Sequence, residues 1–185
     1  MKEFKEAFYS FFPLRIHPIC IILSVLIFII SIYFLEKKIH SKKKVVSYSI
    51  FFSYILFVFF FTVIGREASS GYQYNLELFW SYKRAFSEGS LVNLFGNSLN
   101  ILLFIPFGIC AFGIMDCSME KFVFVGCIGM VLSLIIELLQ LVLKRGLFEF
   151  DDIFHNVIGM MLGYYFCCAV ARIKRNRRKI NDIET

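Results

Sequence analysis

The sequence predicts an all-α, polytopic membrane protein of about five transmembrane helices, with the N-terminus outside and the C-terminus in the cytoplasm. Three observations carry this reading. Five long runs are apolar and nearly free of charge. The 185-residue chain is 58% hydrophobic, with a mean hydropathy of +0.71, whereas an ordinary soluble domain is about 45–50% apolar. Its basic residues gather in clusters beside the apolar runs. A helix rises about 1.5 Å per residue, so about 20 apolar residues cross a hydrocarbon core about 30 Å thick. That length leaves room for one compact helical unit and no second sizeable soluble domain. A net charge of +6 could mark a nucleic-acid binder in a soluble chain. Here the cations flank spans, no zinc-finger or RNA-binding motif is present, and no nucleic-acid partner is expected.

Residues 1–15 carry Phe4, Phe8, Phe11 and Phe12 with Lys2, Lys5 and Arg15, a spacing suited to a short amphipathic helix at the membrane surface. No small-residue cleavage site follows the first apolar run, so it does not read as a signal peptide. The transmembrane domain is expected over 16–171. Its first span, 16–35, ends in a loop bearing Lys37, Lys38, Lys42, Lys43 and Lys44. The second covers 45–64 and is rich in Phe. A longer loop, 65–92, holds Arg66 and Glu67 and then Tyr72, Tyr74, Phe79, Trp80 and Tyr82, aromatics that favour the headgroup level. The third, fourth and fifth spans cover 93–114, 122–143 and 153–171. A basic tail, 172–185, carries Arg172, Lys174, Arg175, Arg177, Arg178 and Lys179. Five spans put the lysine-rich loop and this tail on one side. That side holds more Lys and Arg than the other, which assigns it to the cytoplasm of a multi-pass protein of the cell membrane.

The six cysteines lack metal-site spacing and do not suggest a disulfide framework. They read as small apolar packing residues.

Polar residues within spans carry the functional signal. On the third helix Asn93, Asn97 and Asn100 recur at i, i+4 and i+7. On the fourth, Ser133, Glu137 and Gln140 do so, with Lys144 extending the row. On the fifth, Asp152, Asn156, Gly159 and Gly163 continue the pattern. Each set forms one helix face, and in this topology all three rows meet the outer surface. A carboxylate at mid-membrane costs roughly 2.5–3.5 kcal/mol on insertion scales, so Glu137 must be neutral, paired or beside a wet cleft. Arg66, Lys144 and Arg145 stand near the helix ends, where they could pair with an acid. Each feature also has a plainer role. Asn and Gln between membrane helices serve as packing glue, and Gly159 and Gly163 allow close helix contact. Asp152 suits an N-cap of the fifth helix, and Pro106 with Gly108 shapes the third. Asp151 and His155, four apart with Glu137 in reserve, make too weak a pattern for a metal site. No metal or other cofactor is expected.

Several of these residues resemble the signature of VanZ-like membrane proteins. The stretch 97–108 reads NSLNILLFIPFG, 136–140 reads IELLQ, and 150–159 reads FDDIFHNVIG with Gly163 after it. Tyr74-Asn75-Leu76 before Phe79 is similar to a further element of the family, although Glu77 and Leu78 stand where a proline is expected. The resemblance covers about 64–166 and matches Asn100, Glu137, Gln140, Asp152 and Asn156 to motif positions. It implies kinship with a protein linked to low-level resistance to teicoplanin, a lipoglycopeptide.

Two functions follow as expectations. In the first, the protein binds or modifies a membrane lipid or lipid-linked cell-wall intermediate at an outer-leaflet polar site. Glu137 and Asp152 supply acid–base chemistry. Asn97, Asn100, Gln140, Asn156 and His155 orient the headgroup, and Arg66, Lys144 and Arg145 hold its anionic part. A lipoglycopeptide is a further candidate ligand. In the alternative, the protein is not an enzyme: it alters drug access or associates with cell-wall machinery, and the aromatic loop is the partner surface. Transport is disfavoured by the absence of an internal repeat and by polar groups confined to one leaflet.

Overall fold

In water, the polar residues of a chain face out and the apolar ones face in. The computed structural model, which describes residues 18–88 and 92–184, departs from that arrangement on both counts. Among the described residues twelve polar or charged side chains are buried, including Glu137, Gln140, Asp151, Asp152 and His155, while Ile, Leu, Val and Phe dominate the exposed faces. Hydrocarbon is the solvent that such a surface fits, because it penalises exposed polar groups and leaves apolar ones unpenalised. Among the described residues five helices are long and apolar enough to cross a membrane. The expected amphipathic segment 1–15 lies outside the described residues.

The spanning helices are α1 (Pro18–Glu36), α2 (Lys42–Phe59), α4 (Val92–Ile114), α5 (Met119–Val142) and α6 (Phe150–Glu184); a short α3 (Trp80–Glu88) lies between α2 and α4. A π-helical turn, Phe60–Ile64, continues α2. The helix α5 begins three residues before the expected fourth span, because Ser118 caps it by accepting the Lys121 N–H. The fifth helix starts at Phe150, which places Asp151 and Asp152 in its first turn and rules out Asp152 as its N-cap. It also runs on through the basic tail, where no Gly or Pro interrupts a series of good helix formers.

The helices α4 and α6 form the central pair, and glycine sets their distance. A Cβ added at Gly159 would lie 2.2 Å from the Ile101 carbonyl oxygen, one at Gly163 2.2 Å from that of Ile105, and one at Gly108 2.0 Å from that of Met160. The two backbones therefore touch, as the Gly159–Gly163 spacing predicts. Pro106 sits within a continuous helix. Around this pair Val58, Phe104, Phe107, Ala111, Val125, Met160 and Tyr164 form the apolar core.

The two ends of the bundle differ. At the end that carries the lysine-rich loop, Lys43 lies over the Phe112 ring and the Tyr164 hydroxyl donates to the Asp116 carbonyl. A disulfide joins Cys117 to Cys168 there. This corrects the reading of all six cysteines as packing residues. The partners are 51 residues apart in sequence, and only the docking of the α4–α5 turn on α6 brings them together.

At the other end the chain is fastened by short-range devices. Lys144 adopts φ 54°. Its N–H bonds to the Leu141 carbonyl, and the next N–H, of Arg145, reaches back to that of Gln140. This is the Schellman closure of α5, with lysine in the place glycine usually takes. The long loop pairs β1 (Tyr74–Asn75) in parallel with β2 (Phe148–Glu149), Tyr74 opposite Phe148 and Asn75 opposite Glu149. The Ser69 N–H adds a bond to the Lys144 carbonyl. These contacts hold the loop and α3 over the mouth of the α4–α5–α6 group.

Candidate functional site

The first two turns of α6 present polar side chains to two sides, and each side meets a different set of partners. On one side Asp151 acts as an N-terminal cap for α3. One carboxylate oxygen accepts the Phe79 N–H at 2.5 Å, and the other accepts the Ser81 hydroxyl at 2.7 Å and the Ser81 N–H at 3.4 Å. A carboxylate at a helix N-terminus satisfies free N–H groups and opposes the helix dipole. This anchoring holds Phe79 at φ 60°, a left-handed backbone that a bulky residue adopts only under external constraint. Asn97 donates to the Ser81 hydroxyl at 2.9 Å. One turn along, His155 is fully buried. The Asp151 carbonyl can only accept, so His155 Nδ1 donates to it at 2.5 Å, and Nε2 is left to accept the Tyr82 hydroxyl at 2.7 Å. The rings of Tyr82 and His155 stack with centroids 5.7 Å apart.

On the other side the α5 row of Ser133, Glu137 and Gln140 is wholly buried. Glu137 Oε2 accepts the Glu149 N–H at 3.1 Å, which ties the carboxylate to β2. Asp152, Arg66 and Glu149 are its electrostatic neighbours. The Asn100 amide donates toward Asp152. Asn156 Nδ2 donates to Ser133 Oγ at 2.8 Å, and Gln140 Nε2 donates to the Thr62 carbonyl at 3.2 Å within the π-turn. Gly146, at φ 128°, lets the α5–α6 turn pass close by: an added Cβ would lie 2.7 Å from Arg66 Nη1 and 3.2 Å from Gln140 Oε1.

Several buried atoms on this side find no protein partner: Gln140 Oε1, Asn156 Oδ1, Glu149 Oε1 and Trp80 Nε1. An unsatisfied buried acceptor costs free energy that a ligand or water can recover. The Trp80 indole N–H makes no well-formed hydrogen bond, yet it lies close enough to the Glu149 carboxylate to favour its charged form. Burial outweighs that effect. Together with the nearby charge of Asp152 it pushes the Glu149 carboxyl up to about 8.

Of the sequence-predicted residues, Glu137, Asp152, Asn100, Gln140, Asn156 and Arg66 come together here. Asn97 and His155 belong to the α3 anchor. Arg145 donates from Nη1 to the Ile64 and Arg66 carbonyls at 2.6 and 2.9 Å, and Lys144 lies over the Tyr72 ring. Neither cation is an electrostatic partner of the clustered carboxylates, whereas Arg66 is. Sequence reasoning missed Glu149, Trp80, Ser81 and Tyr82 as members of these networks. The available signal was the acidic run Glu149-Phe150-Asp151-Asp152 set directly before a span. Among the described residues no three His, Cys, Asp or Glu side chains are placed to hold a metal ion.

Beside the α5 row, on the neighbouring face of the same helix, a groove of about 520 Å³ opens among α1, α2 and α5. Ile27, Phe52, Leu56, Phe107, Ile136 and Leu139 line it, with Ser31 as a polar exception.

Five apolar helices around a buried nest of carboxylates and amides define a multi-pass membrane protein with an internal polar site at one end. The chain belongs to the VanZ/LLP1 family, whose model matches residues 19–172. Comparison with curated proteins and with solved structures finds no match.

Proposed function

We propose that the Glu137–Asp152–Glu149 pocket binds or modifies the polar head of a lipid or lipid-linked cell-envelope molecule. The observation that supports it is the set of unpartnered acceptors, Gln140 Oε1, Asn156 Oδ1 and Glu149 Oε1, beside carboxylates drawn from two helices and a strand. A scaffold alone has no use for such a combination. The apolar groove on the neighbouring face of α5 suits the tail of an amphiphile. Glu137 is the candidate general acid–base group, with Asp152 beside it, and Asn100, Gln140 and Asn156 orient the head. The test compares wild type with Glu137→Gln, both purified to equal monodispersity, for co-purified lipid and for teicoplanin resistance in the host. The variant is expected to lose the bound lipid and the resistance. Full retention of both would remove the pocket from the function.

A second reading rests on the exposed aromatic and aliphatic side chains of the loop end, Tyr72, Tyr74, Leu76, Leu78 and Phe86. Such a surface suits a partner among cell-wall enzymes. It predicts that substitutions there harm function more than Glu137→Gln does at equal expression.

We further propose that the pocket faces outward and the lysine-rich end faces the cytoplasm. Disulfides persist in oxidising compartments, so this orientation puts the Cys117–Cys168 bridge on the reducing side and predicts that it is opened to thiols in growing cells. Labelling by a permeant but not an impermeant maleimide is the expected result. The opposite pattern would invert the topology.

A further inference from the structure

We infer that the group this pocket takes from its ligand is a primary ammonium. The inference rests on the headgroup reading above and deepens it. Among the unpartnered buried atoms on this side, three are acceptors, Gln140 Oε1, Asn156 Oδ1 and Glu149 Oε1, and one is a donor, Trp80 Nε1. Glu137, Asp152 and Glu149 supply carboxylate oxygens, and Gln140 Oε1 and Asn156 Oδ1 are buried acceptors without a partner. The Asn100 amide is already directed at Asp152, and the amides of Gln140 and Asn156 donate elsewhere. Arg66 is the cation within electrostatic reach of all three carboxylates. Lys144 and Arg145, which would otherwise build an anion site, are committed to Tyr72 and to backbone carbonyls.

A phosphate would bring further acceptors to a site already rich in them and would oppose ionisation of its acids. A neutral hydroxyl would donate a single hydrogen and leave two of the three unpartnered acceptors unpaired. An ammonium donates three hydrogens, and its charge favours loss of the Glu149 proton, which burial holds up to about 8. Charge-assisted bonds of this kind are about twice as strong as neutral ones, and they strengthen away from water. The groove beside the α5 row supports an amphiphile, so the ligand class is a lipid with a free primary amine in its head. Free phosphoethanolamine shares this chemistry without a tail.

The experiment measures lipid retention by native mass spectrometry after exchange of the full-length protein into vesicles of phosphatidylethanolamine, N-acetyl-phosphatidylethanolamine or phosphatidylglycerol. The expected result is at least about tenfold preference for the free amine, the range a charge-assisted bond provides. That preference should be lost in Glu137→Gln. Arg66→Gln should keep or strengthen it, whereas an anion-anchoring site predicts that this variant loses retention. Competition by phosphoethanolamine matching that of the lipid would assign the amine to a soluble ligand, and weaker competition would assign it to a lipid. Equal retention of all three lipids overturns the ammonium and leaves the headgroup site standing. No retention of any lipid overturns both.

Discussion

The two sides of the first turns of α6 are built from the same residue types and behave differently. On the α3 side, both oxygens of Asp151 and both ring nitrogens of His155 are engaged, and Asn97 completes the chain. On the α5 side, Gln140, Asn156 and Glu149 each keep a buried oxygen without a partner. Polarity alone does not separate scaffold from site, since both clusters are buried in the same apolar bundle. Hydrogen-bond satisfaction does. A closed network fixes geometry, and an open one holds binding free energy in reserve.

If that contrast is right, the closed side governs stability. Asp151→Ala, which leaves the Phe79 and Ser81 donors without an acceptor, should cost the most: about 3 kcal/mol, given about 1–3 kcal/mol for each stranded buried group. Thermal unfolding in detergent measures it, and Asp151→Asn, which keeps one acceptor oxygen, should lose less. A loss no greater than that of Tyr82→Phe would remove Asp151 from its anchoring role. Tyr82→Phe removes the single bond to His155 Nε2 and should cost about 1 kcal/mol.

The effect of Glu149 depends on pH. Its folded value of about 8 lies above the ordinary 4.5, so the folded protein holds the proton more tightly than the unfolded chain. The stabilising contribution is complete below about 4.5 and is lost as the pH rises through about 8. The unfolding midpoint should fall across that window, and Glu149→Gln should flatten the decline. An unchanged slope in the variant would assign the pH dependence to another group. The smallest stability change belongs to Glu137→Gln, which keeps an acceptor for the Glu149 N–H. Its midpoint should move less than that of Tyr82→Phe while ligand retention is lost, the reverse of the Asp151 result.

Much of this was legible in the sequence because helical periodicity is rigid. Residues at i, i+4 and i+7 must share a face, so Ser133, Glu137 and Gln140 were bound to appear together, and the helices' need to shield them from hydrocarbon brought Asn100, Asp152 and Asn156 opposite. The loop obeyed no such period. Glu149 and Trp80 join the polar cluster through a parallel pairing of two two-residue strands and a helix capped from a distant chain segment, neither of which has a local signal. Arg66 and Arg145 looked equivalent as cations near helix ends. The π-turn and the left-handed Lys144 direct one toward the carboxylates and the other toward carbonyls. The pairing of Cys117 with Cys168 was hidden for a related reason: it depends on docking across 51 residues.

The uninterrupted course of α6 has a mechanical consequence. Its 35 residues make a rod about 50 Å long, roughly 20 Å more than a hydrocarbon core requires. The cations from Arg172 to Lys179 are thus mounted on a stiff spar. Electrostatic attraction to lipid fades over about 8 Å at physiological salt, and these residues span about 10 Å of helix. If hydrocarbon ends near Ala171, the inner cations lie within that range of the bilayer and the outermost at its edge.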